Sequence, residues 1–299
     1  MSVSALAALW RASFLTATSY RLRFVQSLVG SLITVVPVFF VARAMQPMMG
    51  PTIQSEGRDF FAFLVVGFAV MSFVVMCVDA LPSQVAGDIN NGFFEALLGA
   101  PVGTATILVG LVTYPILFTM LRGIAMLALA AVLGVHFSLT HLPEALVIVS
   151  LLAVAHFGVA LLATGLMIAF RTTLSIPQVV ITASGFLGGV YWPTSVIPSW
   201  VYTVSEFVPL TYGLRALRQA VLEERGFGQV AHDVLMLAAF AGCLMSVGVL
   251  AISLAIAYAR RRGTLSQYSA VLPCIAIRNS CVDCRLRRAS CCWRRGRRR

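Results

Sequence analysis

The sequence contains no lysine, and arginine supplies all 22 of its basic residues. This absence excludes a phosphate-binding P-loop on the chain, because that loop needs the lysine of G-x-x-x-x-G-K-[ST]. Charged residues of both signs are also scarce: they make up 11% of the 299 residues, against about a quarter in soluble domains. Any ATP-driven work must therefore be done by a partner protein, and the composition is not that of a soluble domain.

Long hydrophobic runs take the place of the missing charges. Hydrophobic residues make up 59% of the chain, and the mean hydropathy is +0.91. Because a helix needs about 20 apolar residues to cross a bilayer, we expect an all-α integral membrane protein with six transmembrane helices. The predicted spans cover residues 25–44, 60–80, 105–135, 143–170, 174–192 and 230–259.

The first 24 residues lack the compact apolar core and cleavage site of a signal peptide. The stretch "LAALWRASFLTATSYRLRF" instead places its leucines and aromatic residues on one side of a helix, with the arginines elsewhere. That pattern predicts an amphipathic helix lying in the membrane interface. The predicted organisation is thus an interfacial helix over 1–24, a six-span membrane domain over 25–268 and a tail over 269–299.

The distribution of arginine predicts the orientation. Arg11, Arg21 and Arg23 precede the first span, and three consecutive arginines, residues 260–262, follow the last. Since an even number of spans leaves both termini on one side, the positive-inside rule places both in the cytoplasm. The loop at 81–104, assigned to the same side, contains no arginine.

The segment between the last two spans is unusually aromatic and is broken by proline. "GGVYWPTSVIPSW" begins at residue 188, and Pro193 is predicted to end the fifth span. Two further pieces follow: "VIPSWVYTVSEF" from residue 196, which Pro209 is predicted to end, and "LTYGLRALRQAVLEER" from residue 210, which is a further predicted helix. Neither piece is long enough to span, so the pattern favours two short helices that enter the outer leaflet and return. An extracellular loop with an aromatic anchor is the alternative. The residues assigned to this outer re-entrant segment are Pro193, Pro198, Trp200 and Pro209.

A second polar segment, "LPSQVAGDINNGFFEALLGAPVG", lies between spans two and three at residues 81–103. Asn90 and Asn91 are suitable N-caps, and Gly99 with Pro101 predicts the helix end. A helix of about two turns with one apolar face results. It is either a docking element for a cytoplasmic partner or an interfacial anchor.

These features together resemble the ABC transporter permeases of the second exporter class, which export drugs, lipids and polysaccharides. The resemblance is carried by "NGFFEALLGAP" after the second span and by "GGVYWPTSVIPSW…EFVPLTYGLRALRQAVL" before the last. It implies a dimerising half-transporter that pairs with a separate ATPase subunit, which binds ATP and Mg. It also implies a re-entrant pair over 194–225 and a coupling helix seated on the ATPase. The coupling residues are then Asn91, Gly92, Phe93, Phe94, Glu95 and Leu98.

Three ionisable residues lie within predicted spans: Asp79, Arg122 and His156. A charge at mid-bilayer is costly unless it is paired or hydrated. Arg122 therefore either lines a translocation path and contacts an anionic substrate, or holds a structural partner on a neighbouring span. His156 is expected to be a hydrogen-bonded packing residue rather than a proton relay.

The tail carries most of the net charge of +11 and five of the seven cysteines. Nine arginines and one acid lie in residues 269–299, which favours contact with anionic lipid over nucleic acid. Without a core to hold a site, a disordered extension or a read-through sequence is expected, and no metal site. The weak candidates for zinc ligands are Cys281, Cys284, Cys291 and Cys292.

The predicted function is the permease subunit of an ATP-driven exporter in a bacterial cytoplasmic membrane. It would act as a dimer with its ATPase and move an amphipathic substrate outward, with no catalysis and no cofactor on this chain. An ion-coupled secondary transporter is one alternative, although it would need an internal repeat and paired intramembrane ion ligands. A non-transport membrane scaffold is the other.

Overall fold

A computed structural model describes residues 11, 21–49, 53, 59–92, 103–138, 140–170, 176–193, 198–223 and 226–262. Within these ranges the regular structure is entirely helical, which confirms the predicted all-α class. The helices in chain order are α1 Arg21–Ile33, α2 Val35–Met49, α3 Phe60–Asn90, α4 Thr104–Val132, α5 Leu142–Phe170, α6 Ile176–Leu187, α7 Ser199–Ser205, α8 Pro209–Leu222 and α9 Phe227–Arg262.

Five stretches of the described chain are long and apolar enough to cross a membrane. Four of them coincide with predicted spans one, three, four and six, although their ends differ by a few residues. The second, Phe60–Asn90, is longer than predicted, because its helix continues through Pro82 for ten residues past the expected end. The first joins α1 and α2 across Thr34. The five stretches are Val25–Met49, Phe60–Asn90, Ala105–Val132, Leu142–Phe170 and Phe227–Ala259.

The segment predicted as the fifth span, 174–192, differs most from expectation. Within its described residues, 176–192, the helical part is α6, a helix of 12 residues, which extends only about 18 Å along its axis. We expected Pro193 to end this helix, and that prediction was wrong: α6 ends at Leu187. Gly188 follows, and Gly189 adopts a positive φ of 75°, which is favourable for glycine and common at helix ends.

Helices α5 and α9 form the closest helix pair in the core. A Cβ added to Gly158 of α5 would lie 2.5 Å from the carbonyl carbon of Leu244 in α9. A Cβ added to Gly165 would lie 3.0 Å from the same atom of Ala251. The two backbones are therefore in direct contact, as small residues allow between membrane helices. This pair supports α8, which packs against both.

Helix α3 links the remaining parts of the bundle, since it packs against α2, α4, α5, α6 and α8. Its first turn is capped by Asp59, whose side chain accepts a hydrogen bond of 3.1 Å from the backbone N–H of Phe61. The backbone N–H of Phe60 donates to Gln46 Oε1 of α2 at 2.7 Å. The start of α3 is therefore fixed in position, and it holds the contacts described below.

Candidate functional site

Two short helices connect α6 to α9, as the sequence predicted. Pro198 is the N-cap of α7, and Pro209 is the first residue of α8, a position where its fixed φ is favourable and no N–H is needed. Pro209 thus starts α8, whereas α7 has already ended at Ser205. The Thr211 hydroxyl donates to the Ser205 carbonyl at 2.7 Å and holds the connection between the two helices.

The two helices differ sharply in exposure. Trp200 of α7 is 72% exposed and Phe207, just beyond it, is 75% exposed. Most of α8 is buried by contrast, and Leu210, Leu214 and Ala220 are each at most 1% exposed. Helix α8 is therefore part of the core, and α7 presents an aromatic surface outside it.

The position of α8 along α5 is defined by two contacts. The Val221 carbonyl accepts a hydrogen bond of 3.0 Å from the backbone N–H of Ser138, shortly before α5 begins. At the other end, a Cβ added to Gly213 would lie 2.7 Å from Leu152 Cδ1. Leu152 is ten residues into α5, or about 15 Å along its axis. Helix α8 therefore runs antiparallel to α5 and reaches well down its length.

Arg218 of α8 is the largest fully buried side chain in the described ranges, with 1% exposure. Its Nη1 donates to the Gly189 carbonyl at 2.9 Å, and its Nη2 donates to the Phe63 carbonyl at 3.1 Å and to the Val190 carbonyl at 3.4 Å. The guanidinium carbon lies 3.4 Å from the centroid of the Phe63 ring. One side chain thus joins α8, the turn after α6 and the start of α3.

Gly67 of α3 makes room for this junction. A Cβ at this position would lie 2.8 Å from the Val190 carbonyl oxygen and 2.9 Å from Arg218 Nη2. Both distances are shorter than van der Waals contact allows, so the turn and the arginine approach α3 only because residue 67 has no side chain.

A second arginine of α8 makes an ion pair. Arg215 Nε donates to Asp233 Oδ2 of α9 at 2.8 Å, and Nη2 donates to Oδ1, so the pair is bidentate. Asp233 is 7% exposed. Helices α8 and α9 are thereby joined by a largely buried, charge-assisted contact.

The sequence analysis missed Arg215, Arg218, Gly67 and Asp233. A signal was present, because Arg215 and Arg218 are three residues apart in one short predicted helix and so share a face. Asp233 is also the only acidic residue of α9. What the sequence did not contain was the identity of the acceptors of Arg218, which are backbone carbonyls from distant segments.

Arg122 lies in α4, ten residues before the helix ends at Val132, or about 15 Å along its axis. Its side chain is half-buried, and its Nε is buried without a hydrogen-bond partner. Neither ion pair found in the described ranges includes it. The structure therefore provides no acidic partner for Arg122 in the part of the chain it covers.

The predicted coupling helix is only partly within the described residues. Asn90 is the last residue of α3, and the N–H of Asn91 donates to the Gly87 carbonyl at 3.0 Å, which makes Asn91 the C-cap. Gly92 follows with a φ of 70°. The two asparagines thus end α3, whereas we expected them to begin the next helix. Phe93, Phe94, Glu95 and Leu98 lie outside the described residues.

Of the other residues singled out from the sequence, His156 lies within the described ranges and the four cysteines of the tail do not. His156 is 1% exposed, and its Nδ1 lies 2.9 Å from the Leu152 carbonyl oxygen, which confirms a hydrogen-bonded packing residue. No group of three metal-ligating side chains occurs in the described ranges. Cys281, Cys284, Cys291 and Cys292 lie outside them.

A helical membrane protein with several spans and a pair of short helices, α7 and α8, before the last span is the class that this fold defines. The chain belongs to the ABC-2 type transporter family, whose model matches residues 4–222. It is similar to Nodulation protein J of Sinorhizobium fredii, with 24% identity over 246 residues, which are 81% of this chain and 91% of that protein. It is also similar to the Linearmycin resistance permease protein LnrN of Bacillus subtilis, with 22% identity over 187 residues, 62% of this chain and 48% of that one. The chain therefore spans about half of the second relative.

Proposed function

We propose that this chain is the permease subunit of an ATP-driven ABC exporter. It works with a separate ATPase subunit, which binds ATP and Mg, and with a second permease copy, and it moves an amphipathic substrate outward. The family match supports this proposal, as does the lack of a P-loop lysine on the chain. The observation that carries it is the junction at Arg218, which ties an outer helical pair to the helix that leads to the coupling segment.

The proposed topology has six spans, with both termini in the cytoplasm of a bacterium. Residues 174–192 are the fifth span, which includes the short helix α6, and the α7–α8 pair re-enters the membrane from the outer side. The contact between Gly213 and Leu152 supports this re-entry, because it lies about 15 Å along α5 from the end that faces outward. Backbone breaks at that depth are tolerated where protein covers them, and α8 is covered by α3, α5 and α9.

Helix α3 is the proposed mechanical link between ATPase and outer pair. It contains 31 residues and is therefore about 46 Å long. At one end it leads to residues 91–98, the proposed coupling helix, and at the other it holds Arg218 through the Phe63 carbonyl. A displacement of 91–98 on ATP binding would move α3 as a rigid body and reposition the turn at 188–190.

Arg122 is the proposed contact for an anionic group of the substrate. Its half-buried side chain and unpaired Nε, about 15 Å from the end of α4, support this role. A path along α4 suits an amphipathic cargo, because the neighbouring Leu121 and Ile124 are more than half exposed.

The coupling residues are the direct test of this function. The permease should be co-expressed with its ATPase, and Phe94 and Glu95 should be changed together to alanine. We expect either the binding of the ATPase subunit to the permease or the substrate-stimulated ATP hydrolysis to fall at least about tenfold. An effect of this size is expected when interface anchors are lost. Phe207→Ala, which removes an exposed aromatic ring on the outer pair, is the control for association. Unchanged association and unchanged hydrolysis in the double variant would refute the coupling role.

A further inference from the structure

A groove of about 490 Å³ runs between α5 and α9 near the ends of both helices. It lies far from the outer helical pair, because α5 reaches it only in its last two turns. Almost all of its lining is apolar. The lining residues are Gly165, Leu166, Ala169, Ala251, Leu254, Ala255, Ala257, Tyr258 and Arg261.

The groove exists because its floor is made of small residues and its walls of large ones. Gly165 brings the two backbones together, since a Cβ there would lie 3.0 Å from the carbonyl carbon of Ala251. Leu254 and Tyr258 stand at the side and are 62% and 44% exposed. The result is a slot on the outer surface of the bundle, where the described chain places no other helix.

The length of the groove matches one leaflet of a bilayer. Ala251 and Arg261 are ten residues apart on α9, which is about 15 Å along the axis. The hydrocarbon core of a bilayer is about 30 Å thick, so the groove extends from its surface to its middle. A single acyl chain that runs parallel to the helices has this length and needs no polar partner below its headgroup.

The charge lies at one end only. Arg261 is the only charged residue among those that line the groove, its side chain is exposed, and it stands in the run of three arginines at 260–262. Basic grooves between transmembrane helices on the cytoplasmic side suit anionic lipid headgroups. The Arg261 guanidinium offers two parallel N–H donors for a phosphate.

We propose that this groove binds an anionic phospholipid of the cytoplasmic leaflet, with one acyl chain between α5 and α9 and its phosphate on Arg261. The proposal rests on the orientation given above, in which the end of α9 faces the cytoplasm. A lipid held here bridges the two helices whose glycine contact supports α8, so it stabilises the core of the permease.

The test measures lipid binding to the full-length protein by native mass spectrometry. Purified, delipidated protein is titrated with phosphatidylglycerol and, separately, with phosphatidylcholine. We expect tighter binding of phosphatidylglycerol, and we expect Arg261→Gln to weaken it about fivefold, the effect of one arginine near a membrane surface. Arg43→Gln, at an exposed arginine of α2, is the matched control and should change nothing.

A second pair of variants tests the acyl-chain position. Ala257 is exposed and lines the groove, so Ala257→Trp should fill it and abolish tight binding of both lipids. Val249→Trp places the same ring at an exposed position of α9 that does not line the groove, and binding should persist. Gel filtration of each variant establishes that it is folded.

Three results would overturn the proposal. The first is equal binding of the two lipids by the natural protein, and the second is no effect of Arg261→Gln. The third is normal lipid binding by the Ala257→Trp variant; a different oligomeric mass of that variant would assign the groove to a second copy of the chain. The measurement uses neither ATPase nor cargo, so its failure would leave the proposed export function untouched. Failure of the coupling test at Phe94 and Glu95 would likewise leave the proposed lipid site untouched.

Discussion

Arg218 stacks on Phe63, with 3.4 Å between the guanidinium carbon and the ring centroid, and the same side chain donates to the Phe63 carbonyl. The two residues are 155 positions apart in the chain. Their contact joins the beginning of α3 to the last turns of α8. Since α3 also leads to the proposed coupling segment, this non-covalent contact connects the helix before that segment with the α7–α8 pair.

Replacing Arg218 by methionine should destabilise the protein strongly. The variant leaves the Gly189, Val190 and Phe63 carbonyls without the donor they have now, and each buried acceptor left unpaired costs about 1–3 kcal/mol. We expect a clear fall in the thermal midpoint measured in detergent. Arg43→Met is the matched control, because Arg43 also lies over a phenylalanine ring, that of Phe39 at 5.1 Å, but is exposed. Equal midpoints for the two variants would contradict the role given to Arg218.

Gly67→Ala should be destabilising even though alanine is the better helix former. In an open helix position the change would stabilise by about 1 kcal/mol, whereas here the new Cβ would lie 2.8 Å from the Val190 carbonyl oxygen. Gly123→Ala in α4 provides the comparison, because a Cβ there meets no atom within 4 Å. The thermal midpoint should fall for the first variant and stay level or rise for the second. A rise for both would mean that the turn at 188–190 is not packed against α3.

The contact between α5 and α9 is equally specific. A Cβ at Gly158 would lie 2.5 Å from the backbone of Leu244, so Gly158→Ala should force the helices apart, at a cost of about 1–3 kcal/mol. Gly242→Ala on α9 is the control, since its Cβ would point into open space. Both variants should be compared by thermal unfolding and by the yield of monodisperse protein. If Gly158→Ala unfolds no earlier than Gly242→Ala, the close packing of this pair is refuted.

The ion pair between Arg215 and Asp233 should behave as a coupled unit. Asp233→Asn keeps the shape but removes one charge, and a hydrogen bond to a charged group contributes about 1.5–3 kcal/mol. The double variant Arg215→Gln with Asp233→Asn should lose less than the sum of the two single variants, because no charge is left unpaired. Asp79→Asn, at an exposed carboxylate bonded to Ser83 at 3.0 Å, should change stability by less than about 0.5 kcal/mol. Strict additivity of the two single changes would show that the pair is not coupled.

Hydropathy predicted the long helices well because the cost of burying backbone in lipid leaves few alternatives to a helix. The predictions from hydropathy failed at the ends of α3 and α6, where proline and glycine influence the end of a helix differently. The second span was expected to end at residue 80, yet α3 continues to Asn90 and passes through Pro82, since a proline removes only one hydrogen-bond donor from a helix that its neighbours support. Helix α6 ends at Leu187, shortly before Gly189 with its positive φ, whereas Pro193 was expected to end it.

The buried polar contacts were beyond prediction for a different reason. Arg218 has no acidic partner to be sought in the sequence: its acceptors are main-chain carbonyls, which any residue supplies. The two short helices α7 and α8, by contrast, were predicted from their prolines and aromatic residues, and both are present. The coupling residues beyond Gly92 stay a prediction from the sequence and its resemblance alone.

The partner ATPase is the most direct test of the account. The tagged protein should be purified in a mild detergent from its native host, and the co-eluting proteins should be identified by mass spectrometry. We predict a stoichiometric soluble ATPase of the ABC type that is lost when Phe94 and Glu95 are both replaced by alanine. Elution of the permease without any ATPase, in several detergents and with ATP present, would contradict the account.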